Sequence, residues 1–243
     1  MLHADYGKIK VYYLPHLESG GNTFGQDYLP VVRKLFRKVN HACEFGAGPG
    51  FIGFSLLAHG LCKKLTLVEI NPEAVKVAKE TIKRNRLQGK VSVYLSDGLS
   101  KVPAREKWDL VVSNPPHFNG KEKNYLEDLR VYDPSWRIHE RFYQGIGKHL
   151  NEGGSVLFYE NIYGARPSFW EKMIRKNRDL KYIRSFRYRK FGALPKTSDL
   201  KKYASKEHGY MQKTPTSKLV LKTMLHASFL LYYPYIFVWS KKK

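Results

Sequence analysis

The segment with the most distinctive chemistry is Asn114-Pro115-Pro116-His117-Phe118, which follows a run of apolar residues. Two successive prolines fix the backbone and bring no amide donors of their own, so nearby carbonyl oxygens stay available as acceptors. The Asn114 side-chain oxygen and the Pro115 carbonyl could therefore accept the two N–H bonds of an amino group and orient its lone pair. We expect these five residues to form a catalytic turn; a rigid turn that merely ends a strand is the alternative.

A second segment of chemical interest is the turn from Glu44 to Gly50, with the sequence EFGAGPG. Its glycines permit positive φ angles and let a ligand approach the backbone closely, and the following helix offers free amides. A dinucleotide-binding fingerprint would require glycine at position 51, where the chain has Phe51. The turn therefore argues against a nicotinamide site, and we expect it to bind another ligand through Glu44, Gly46, Ala47, Gly48 and Gly50.

Acidic residues end two further apolar runs, as Glu69-Ile70 and Asp97-Gly98. A carboxylate at a strand tip can accept hydrogen bonds from both hydroxyls of a ribose, and we assign that role to Glu69. Either acid alone would be an ordinary surface carboxylate. Their recurrence at successive strand ends is expected for a ligand that lies across the carboxyl edge of a parallel sheet.

The elements that must position these residues follow an alternating pattern from residue 40 to residue 160. Short apolar runs alternate with amphipathic segments, which predicts an α/β fold whose mostly parallel sheet is covered by helices on both faces. Helices are expected at 50–59 and 72–85; the second begins with Asn71 as its cap and a proline in its first turn. The expected strands are His41–Phe45, Lys64–Ile70, Val91–Leu95, Leu110–Ser113 and Ser155–Tyr159.

The residues before this core are predicted to contain a glycine-rich turn at 18–22 and a helix at 27–38, and together they could form a lid. Phe24 and Gln26 precede the helix, where they could cover a ligand, although Asp27 could equally be a simple helix cap. After the catalytic turn, a group of large polar and aromatic residues could line a substrate entrance, although a surface helix is the commoner arrangement. The group comprises Trp136, Arg137, His139 and Arg141.

The C-terminal part, residues 161–243, is expected to complete the sheet, so that the whole chain forms a single domain. It is predicted to contain a helix at 168–176, strands at 181–190 and 229–239, and a polar insertion at 191–218 between them. The segment 219–239 resembles a membrane tail, but its uninterrupted apolar stretch of about 11 residues is shorter than the roughly 20 that span a bilayer. We therefore expect no membrane anchor.

The charge of the chain points to a polyanionic partner. Lys and Arg number 43 against 21 Asp and Glu, giving a net charge of +22, and residues 171–243 hold 19 of these cations against 4 acids. In residues 182–190, cations alternate with aromatic side chains that can stack on bases. RNA is the expected partner, and a solvated basic face is the alternative. Only two cysteines, Cys43 and Cys62, indicate a reducing, cytoplasmic location rather than a disulfide framework.

Taken together, the spacing Glu-x-Gly-x-Gly-x-Gly, the two acidic strand ends and Asn-Pro-Pro resemble the class I S-adenosylmethionine (AdoMet)-dependent methyltransferases of the Asn-Pro-Pro group, over roughly residues 40–160. The resemblance implies a Rossmann-like fold with a seven-stranded sheet, AdoMet as cofactor, and methyl transfer to a nitrogen of a planar group. It also implies that Asp97 reaches the adenine amino group. His117 departs from the aromatic residue usual at its position, and Phe118 could stack on the substrate instead.

The resemblance and the charge together predict an N-methyltransferase that acts on an exocyclic base amine in structured RNA, ribosomal or transfer. Three alternatives remain open at this point. They are a protein glutamine methyltransferase of the translation apparatus, a small-molecule N-methyltransferase, and a nucleic-acid-binding module without turnover.

Overall fold

The computed structural model describes residues 1–18, 21–123, 128–188 and 235–243, with the side chains of residues 21–24 left out. The chain divides into two compact units, Met1–Tyr188 with Ile236–Lys243, and Arg189–Tyr235. The first unit contains all the residues expected to bind a cofactor or to take part in catalysis.

The first unit contains a two-stranded hairpin, a larger sheet and the helices around it. The strands are β1 (Leu2–Asp5), β2 (Lys10–Tyr13), β3 (Val39–Phe45), β4 (Cys62–Glu69), β5 (Val91–Leu95), β6 (Trp108–Ser113), β7 (Leu150–Asn161), β8 (Leu180–Phe186) and β9 (Tyr235–Lys242). The helices are α1 (Gly21–Phe36), α2 (Phe51–Ala58), α3 (Pro72–Arg84), α4 (Arg137–Ile146) and α5 (Pro167–Arg175), with short 3₁₀ turns at Pro15–Leu17, Pro134–Trp136 and Gly147–His149.

The larger sheet has seven strands in the order β5-β4-β3-β6-β7-β9-β8. The pairs β5–β4, β4–β3, β3–β6 and β6–β7 are parallel, whereas β8 and β9 are antiparallel to each other. The chain leaves β3 and fills one side of the sheet with β4 and β5, then crosses to the other side with β6. Ligands bind at such a reversal of strand order, outside the carboxyl ends of the strands. This arrangement confirms the predicted Rossmann-like α/β fold.

Burial explains why the short apolar runs form the centre of this sheet. Leu110, Val111 and Val112 of β6 are fully buried although they alternate between the two faces, because helices cover both sides. Helix α3 begins as predicted, with Asn71 as its cap, since the Asn71 side chain accepts a hydrogen bond from the Glu73 amide at 2.9 Å.

The five strands predicted in the core are confirmed, and β3, β4, β6 and β7 begin earlier than expected. The prediction for the N-terminal region is wrong in two respects. The hairpin β1–β2 was not expected, and α1 begins at Gly21, so that Gly21 and Asn22 lie in a helix rather than in a turn. Tertiary packing accompanies the longer helix, because Gly25, ahead of the predicted start, lies directly against the Phe51 backbone at the start of α2.

The early start of α1 also corrects the expected role of Asp27. It lies inside the helix and cannot cap its first turn; its carboxylate instead accepts a hydrogen bond from Tyr159 at 3.0 Å. The alternative of a surface helix for the residues at 136–141 is likewise wrong for Trp136 and His139, which are buried. Their rings pack against Trp170 of α5.

The predicted C-terminal helix and two strands are present where the structure describes them. Helix α5 lies at the expected position, β8 ends at Phe186 rather than at residue 190, and the terminal strand is present from Tyr235 to Lys242. The predicted insertion at 191–218 lies outside the described residues. In the parts of the chain that are described, no helix has the length and apolar character needed to cross a bilayer.

Candidate active site at the carboxyl edge of the sheet

The turn between β3 and α2 has the left-handed conformation that its glycines permit. Gly46, Gly48 and Gly50 have φ angles of 61°, 52° and 89°. A side chain at Gly50 would collide with Phe54 and Leu67. By contrast, a Cβ at Gly48 would meet nothing within 4 Å, and one at Gly46 would meet only Ser113 Oγ at 4.0 Å. The turn therefore leaves open space beside Gly46 and Gly48, which a ligand could fill while it contacts the backbone.

Glu44 is buried and turned toward the start of α2. Its carboxylate accepts hydrogen bonds from the Gly53 amide at 2.6 Å and the Ile52 amide at 3.2 Å. Burial raises the pKa of Glu44 to about 8, although these amides favour the charged form. The structure thus gives Glu44 a clear part in holding the turn against the helix, and its direct contact with a cofactor stays a prediction.

Glu69 lies at the tip of β4 and joins that strand to the glycine turn. One oxygen accepts from the Gly48 amide at 2.6 Å, and the other accepts from the Ile70 and Asn71 amides at 2.9 and 2.8 Å. Burial raises its pKa. A carboxylate has about four acceptor positions, so about one remains for a ribose hydroxyl. Binding both hydroxyls, as predicted, would require Glu69 to release one amide.

The predicted adenine site is more open than the ribose site. Asp97 is exposed and pairs with Arg141 of α4, with Nη1 at 3.1 and 3.3 Å from its two carboxylate oxygens. Exposed ion pairs contribute little stability, so a ligand could displace this one. Gly98 has a φ of 59°, and Ile70 is 40% exposed at the same edge. An exposed aliphatic side chain there offers a surface on which a flat ring can pack.

Hydrogen bonds bring the strand tips together into one site. Ser113 Oγ at the end of β6 donates to the Phe45 carbonyl at the end of β3 (2.7 Å). The Gly48 amide donates to the Glu69 carboxylate, and the Ser96 amide donates to the Glu69 carbonyl (2.8 Å). The structure therefore places the predicted residues of β3, β4, β5 and β6 along a continuous edge.

Asn114 follows Ser113 directly and carries the feature that most clearly marks a binding site. Its Oδ1 atom is buried and, among the described residues, has no hydrogen-bond partner. An unpaired buried acceptor costs about 1–3 kcal/mol, so such a group requires an explanation. Pro115 is buried and Pro116 partly buried beside it. An N–H donor on a bound substrate would satisfy Asn114.

The remaining residues of the turn are held by the rest of the molecule. The Phe118 amide donates to the Val131 carbonyl, and the Phe118 carbonyl accepts from the Asp133 amide. His117 is only 9% exposed, and its Nδ1 lies 3.7 Å from Glu160 Oε2. Gly164, just after β7, packs so tightly on the His117 carbonyl that no side chain could fit between them.

A buried ionic cluster, formed by Asp133, His139 and Glu160, lies behind His117. His139 donates through Nδ1 to Asp133 at 2.6 Å and through Nε2 to Glu160 at 3.0 Å, and all three side chains are inaccessible to solvent. Asp133 also accepts the Ile138 and His139 amides at the start of α4. Sequence reasoning missed Asp133 and Glu160; the only available signal was an acid, Glu160, ending an apolar strand.

The backbone that leads into α4 is strained at the same place. Ser135 and Trp136 both have positive φ angles, 54° and 59°, which cost non-glycine residues about 1–3 kcal/mol each. Asn119 Oδ1 holds the strained segment by accepting the Ser135 amide at 2.8 Å. Strain of this kind persists only where the surroundings enforce it, and it is often found at functional sites.

The ionic cluster makes stability depend on pH. Burial opposes the charged form of His139, but Glu160 and Asp133 outweigh it and raise the pKa of His139 from 6.5 to about 9. Below pH 6.5 the folded and unfolded states both hold this proton and the contribution is complete. Between pH 6.5 and 9 only the folded state holds it, so the free energy of unfolding should fall, by at most roughly 3 kcal/mol.

Denaturant titrations at pH 6, 7.5 and 9 on the wild type and on His139→Gln test this expectation. Glu44, with its own raised pKa, contributes to both proteins and cancels in their difference. The stability difference between the two proteins should shrink as the pH rises; a difference that is constant with pH would contradict the protonated state of His139.

Gln26 stands apart from these contacts. It is an exposed residue of α1, and the neighbouring Gly25 packs against the backbone of Phe51 at the start of α2. This places Gln26 on the helix beside the glycine turn, and its contact with a cofactor stays a prediction. The side chain of Phe24 lies outside the described residues.

Comparisons with known proteins identify the family of the chain. The family model for the methyltransferase small domain matches residues 28–178. The ribosomal RNA small subunit methyltransferase C of Haemophilus influenzae (strain PittGG) is 28% identical over 170 residues, covering 68% of this chain and 46% of that protein. The chain thus spans about half the length of the curated relatives it matches.

Solved structures show the same fold. The ribosomal protein L11 methylase of Lactobacillus delbrueckii subsp. bulgaricus has a TM-score of 0.55 at 15% identity, covering 92% of this chain and 81% of that one. A 16S rRNA methyltransferase of T. thermophilus in complex with AdoMet and guanosine has a TM-score of 0.54 at 13% identity, covering 93% and 43%. Because the family model covers more than half of its residues, including the glycine turn and the Asn-Pro-Pro turn, the chain belongs to the methyltransferase small domain family.

Proposed function

We propose that this chain is an AdoMet-dependent N-methyltransferase that methylates an exocyclic amino group of a base in structured RNA. The observation that carries the proposal is Asn114 Oδ1, which is buried and has no hydrogen-bond partner among the described residues. It lies in an Asn-Pro-Pro turn at the same sheet edge as the glycine turn and Glu69.

The residues at this edge fit AdoMet. The open space beside Gly46 and Gly48 would admit the amino-acid part of the cofactor close to the backbone. Glu69 retains capacity for a ribose hydroxyl, and Ile70 and Asp97 lie where a flat ring with an amino group could pack and donate a hydrogen bond. Glu44 stabilises the glycine turn by accepting hydrogen bonds from the Ile52 and Gly53 amides at the start of α2.

The reaction then depends on how the chain holds the acceptor nitrogen. When bound, AdoMet supplies a methyl group that is made electrophilic by a positively charged sulfur. Asn114 Oδ1 and the Pro115 carbonyl would accept the two N–H bonds of the substrate, which turns the nitrogen lone pair toward the cofactor. Phe118 could pack on the flat substrate, and the proton that the nitrogen loses can pass to solvent. No side chain in the turn has to act as a strong base.

The substrate class rests on charge and on the relatives. A net charge of +22 gives strong attraction to a phosphate backbone. The matched curated relatives carry the name of a small-subunit ribosomal RNA methyltransferase, and the T. thermophilus structure contains guanosine. We therefore favour ribosomal RNA over transfer RNA, and the N2 atom of guanine over other amines. A base paired within a helix would have to be extruded to reach Asn114.

This substrate and the free, buried state of Cys43 and Cys62 support a cytoplasmic location. A protein glutamine amide is the second candidate, because a carboxamide offers the same two N–H bonds to Asn114. The similarity in fold to a ribosomal protein methylase makes it worth a direct test.

The test is methyl transfer from labelled AdoMet to separated fractions. The full chain would be incubated with small-subunit ribosomal RNA, total transfer RNA, ribosomal proteins and free amines. We expect label in the ribosomal RNA, located on guanine after digestion to nucleosides. Label in protein alone would replace the RNA substrate with the glutamine alternative. Absence of transfer to every fraction, from a protein that binds AdoMet, would favour a binding module.

Replacing Glu69 with glutamine should weaken AdoMet binding by about 10- to 100-fold, since a charge-assisted hydrogen bond is lost and the amide bonds to the glycine turn are disturbed. Isothermal titration calorimetry measures the change. The matched control is Glu73→Gln, an exposed carboxylate two residues into α3 that contacts His16. Equal affinities in the two variants would remove Glu69 from the cofactor site.

A further inference from the structure

An open groove lies between α3 and β5, the last strand on one side of the sheet. Its volume is about 450 Å³, and its apolar lining includes Val75 and Leu95. Leu95 is 45% exposed and pairs in register with Glu69, so the groove begins at the catalytic edge of the sheet. The contacts proposed for AdoMet and for the acceptor amine do not use this groove.

Three lysines line the groove along one face of α3. Lys76, Lys79 and Lys83 are spaced by three and four residues, which places their side chains on the same side of a helix. All three are exposed, and none forms an ion pair with a described residue. Over these seven residues a helix rises about 10 Å, which is enough to contact more than one phosphate of a nucleic-acid strand.

The acidic residues of α3 do not neutralise the three lysines. Glu80 accepts a hydrogen bond from Arg84 Nε at 2.5 Å, and Glu73 pairs with His16 at 2.7 Å. The Arg84 guanidinium also lies over the ring of Tyr12, 4.6 Å from its centre. The acids of the helix are therefore paired with other cations, and the lysines keep their positive charge beside the groove.

Further cations line a second cleft, at the amino ends of β4 and β5. Lys64, Lys90 and Arg105 line this cleft, which has a volume of about 290 Å³. They are exposed, and they form no ion pair with a described residue. The Leu65 amide donates to the Lys90 carbonyl at 2.9 Å and holds the two strand starts together. Positive side chains from two strands and one loop thus meet at the cleft.

Glu106, an acid that also lines the second cleft, is engaged by the protein. Its two oxygens accept hydrogen bonds from Thr66 Oγ1 at 2.9 Å and from the Tyr94 hydroxyl at 3.0 Å. Its side chain is only 14% exposed. One inward-facing carboxylate cannot balance three exposed cations, so the cleft attracts anions from solution.

Helix α3 connects the groove to the second cleft. It begins where β4 ends, at the catalytic edge, and finishes before β5 starts at the opposite edge, so its lysines lead toward Lys90. Asn114 lies at the end of β6, three strand spacings from β5, or about 14 Å along the edge. A nucleoside bound at Asn114 could not reach the groove across this distance, whereas a polymer could.

We propose that a basic flank along β5 binds the phosphate backbone of RNA away from the target base. The flank consists of Lys64, Lys76, Lys79, Lys83, Lys90 and Arg105. It presents spaced cations rather than one pocket for a single ion, which suits a polyanion whose phosphate contacts position it without reading its sequence. This inference rests on the proposed function, since it takes RNA as the partner.

Binding of the full chain to small-subunit ribosomal RNA at a series of salt concentrations, followed by fluorescence anisotropy, tests the flank. The groove variant carries Lys76→Gln, Lys79→Gln and Lys83→Gln, and the cleft variant carries Lys64→Gln, Lys90→Gln and Arg105→Gln. Both should keep the wild-type fold, because the replaced side chains are exposed. We expect each variant to bind RNA about 10- to 100-fold more weakly at about 0.1 M salt, with the slope of log K against log salt reduced by about two to three.

The matched control removes the same number of charges at the end of α1. It carries Arg33→Gln, Lys34→Gln and Lys38→Gln, which are exposed residues. The neighbouring Phe36 packs on Trp239 of β9, on the far side of the sheet from β5. We expect its RNA affinity to stay within a few-fold of the wild type. Equal losses in the control and in the flank variants would reduce the effect to net charge and overturn the proposal.

Methyl transfer separates this inference from the proposed function. The flank variants should have a higher KM for RNA, with kcat and the affinity for AdoMet unchanged. Methylation of RNA with the wild-type KM would reject the flank and leave the proposed function standing. Binding of RNA through the flank without methylation of any RNA would reject the proposed function alone.

Two further outcomes would count against the flank. A wild-type chain that does not bind RNA would overturn both the flank and the proposed substrate. Weaker binding of the flank variants to separated ribosomal proteins, with unchanged affinity for RNA, would assign this surface to a protein partner and overturn the proposal.

Discussion

Asn114→Ala is expected to lower the rate of methyl transfer by about 10² to 10³-fold, the range found when a pre-organised polar group is removed from a transition state. The Asn114 acceptor is already buried and without a partner among the described residues, so the substrate nitrogen would lose an interaction that requires no rearrangement of the protein. The loss should appear in kcat more than in the affinity for AdoMet, which should stay within a few-fold.

Single-turnover transfer of labelled methyl groups and calorimetry with AdoMet measure the two effects separately. The matched control is Asn119→Ala in the same loop. Asn119 is exposed, and its side-chain oxygen Oδ1 accepts a hydrogen bond from the Ser135 amide. It reports on a general disturbance of the loop, and we expect a loss below tenfold. Turnover of Asn114→Ala within tenfold of the wild type would remove Asn114 from the mechanism.

Gly164→Ala is expected to reduce transfer by about 100-fold through the position of the turn rather than through its chemistry. An added methyl group at Gly164 would overlap the His117 carbonyl, so the turn after β6 or the loop after β7 must move. A displacement of about 1 Å at a reacting centre can cost about 10²-fold in rate. The melting temperature should also fall, since the overlap involves backbone atoms that cannot rotate away.

Gly145→Ala provides the control for this variant. Gly145 lies inside α4, where the nearest atom to an added methyl group is Leu99 Cδ1 at 3.5 Å, an ordinary contact. Alanine in a helix interior is favoured over glycine by about 1 kcal/mol, so this variant should be at least as stable as the wild type and fully active. Wild-type rates in Gly164→Ala would show that the turn tolerates displacement.

The parts of the site that sequence could predict are those fixed by local backbone chemistry. The glycine turn, the acidic strand ends and the Asn-Pro-Pro turn each combine a strand exit with residues that restrict or free the backbone, so their positions follow from short segments. Parallel pairing then places the strand ends at one edge, as the pairing of Glu44 with Val112 and of Glu69 with Leu95 shows.

The parts that sequence could not predict depend on how distant segments pack. The carboxylate of Glu44 turns toward α2 because that helix docks with its first amides over β3. The early part of α1 packs on α2, where Gly25 lies against the Phe51 backbone, a contact between segments that are distant in sequence. The ionic cluster joins a loop, a helix and a strand, and a buried histidine between two acids has no periodicity by which a sequence could reveal it.

The position of β9 has a consequence for how the protein assembles. Although β9 follows β8 along the chain, it lies between β7 and β8 in the sheet, and β8 has no other strand partner among the described residues. The β8 strand can therefore join the sheet only through β9, whose place beside β7 spans a long chain separation. Closing such a long loop is entropically costly and slows folding. We infer that β5, β4, β3, β6 and β7, which hold the catalytic edge together, can form first, and that β9 and β8 are added to the sheet last.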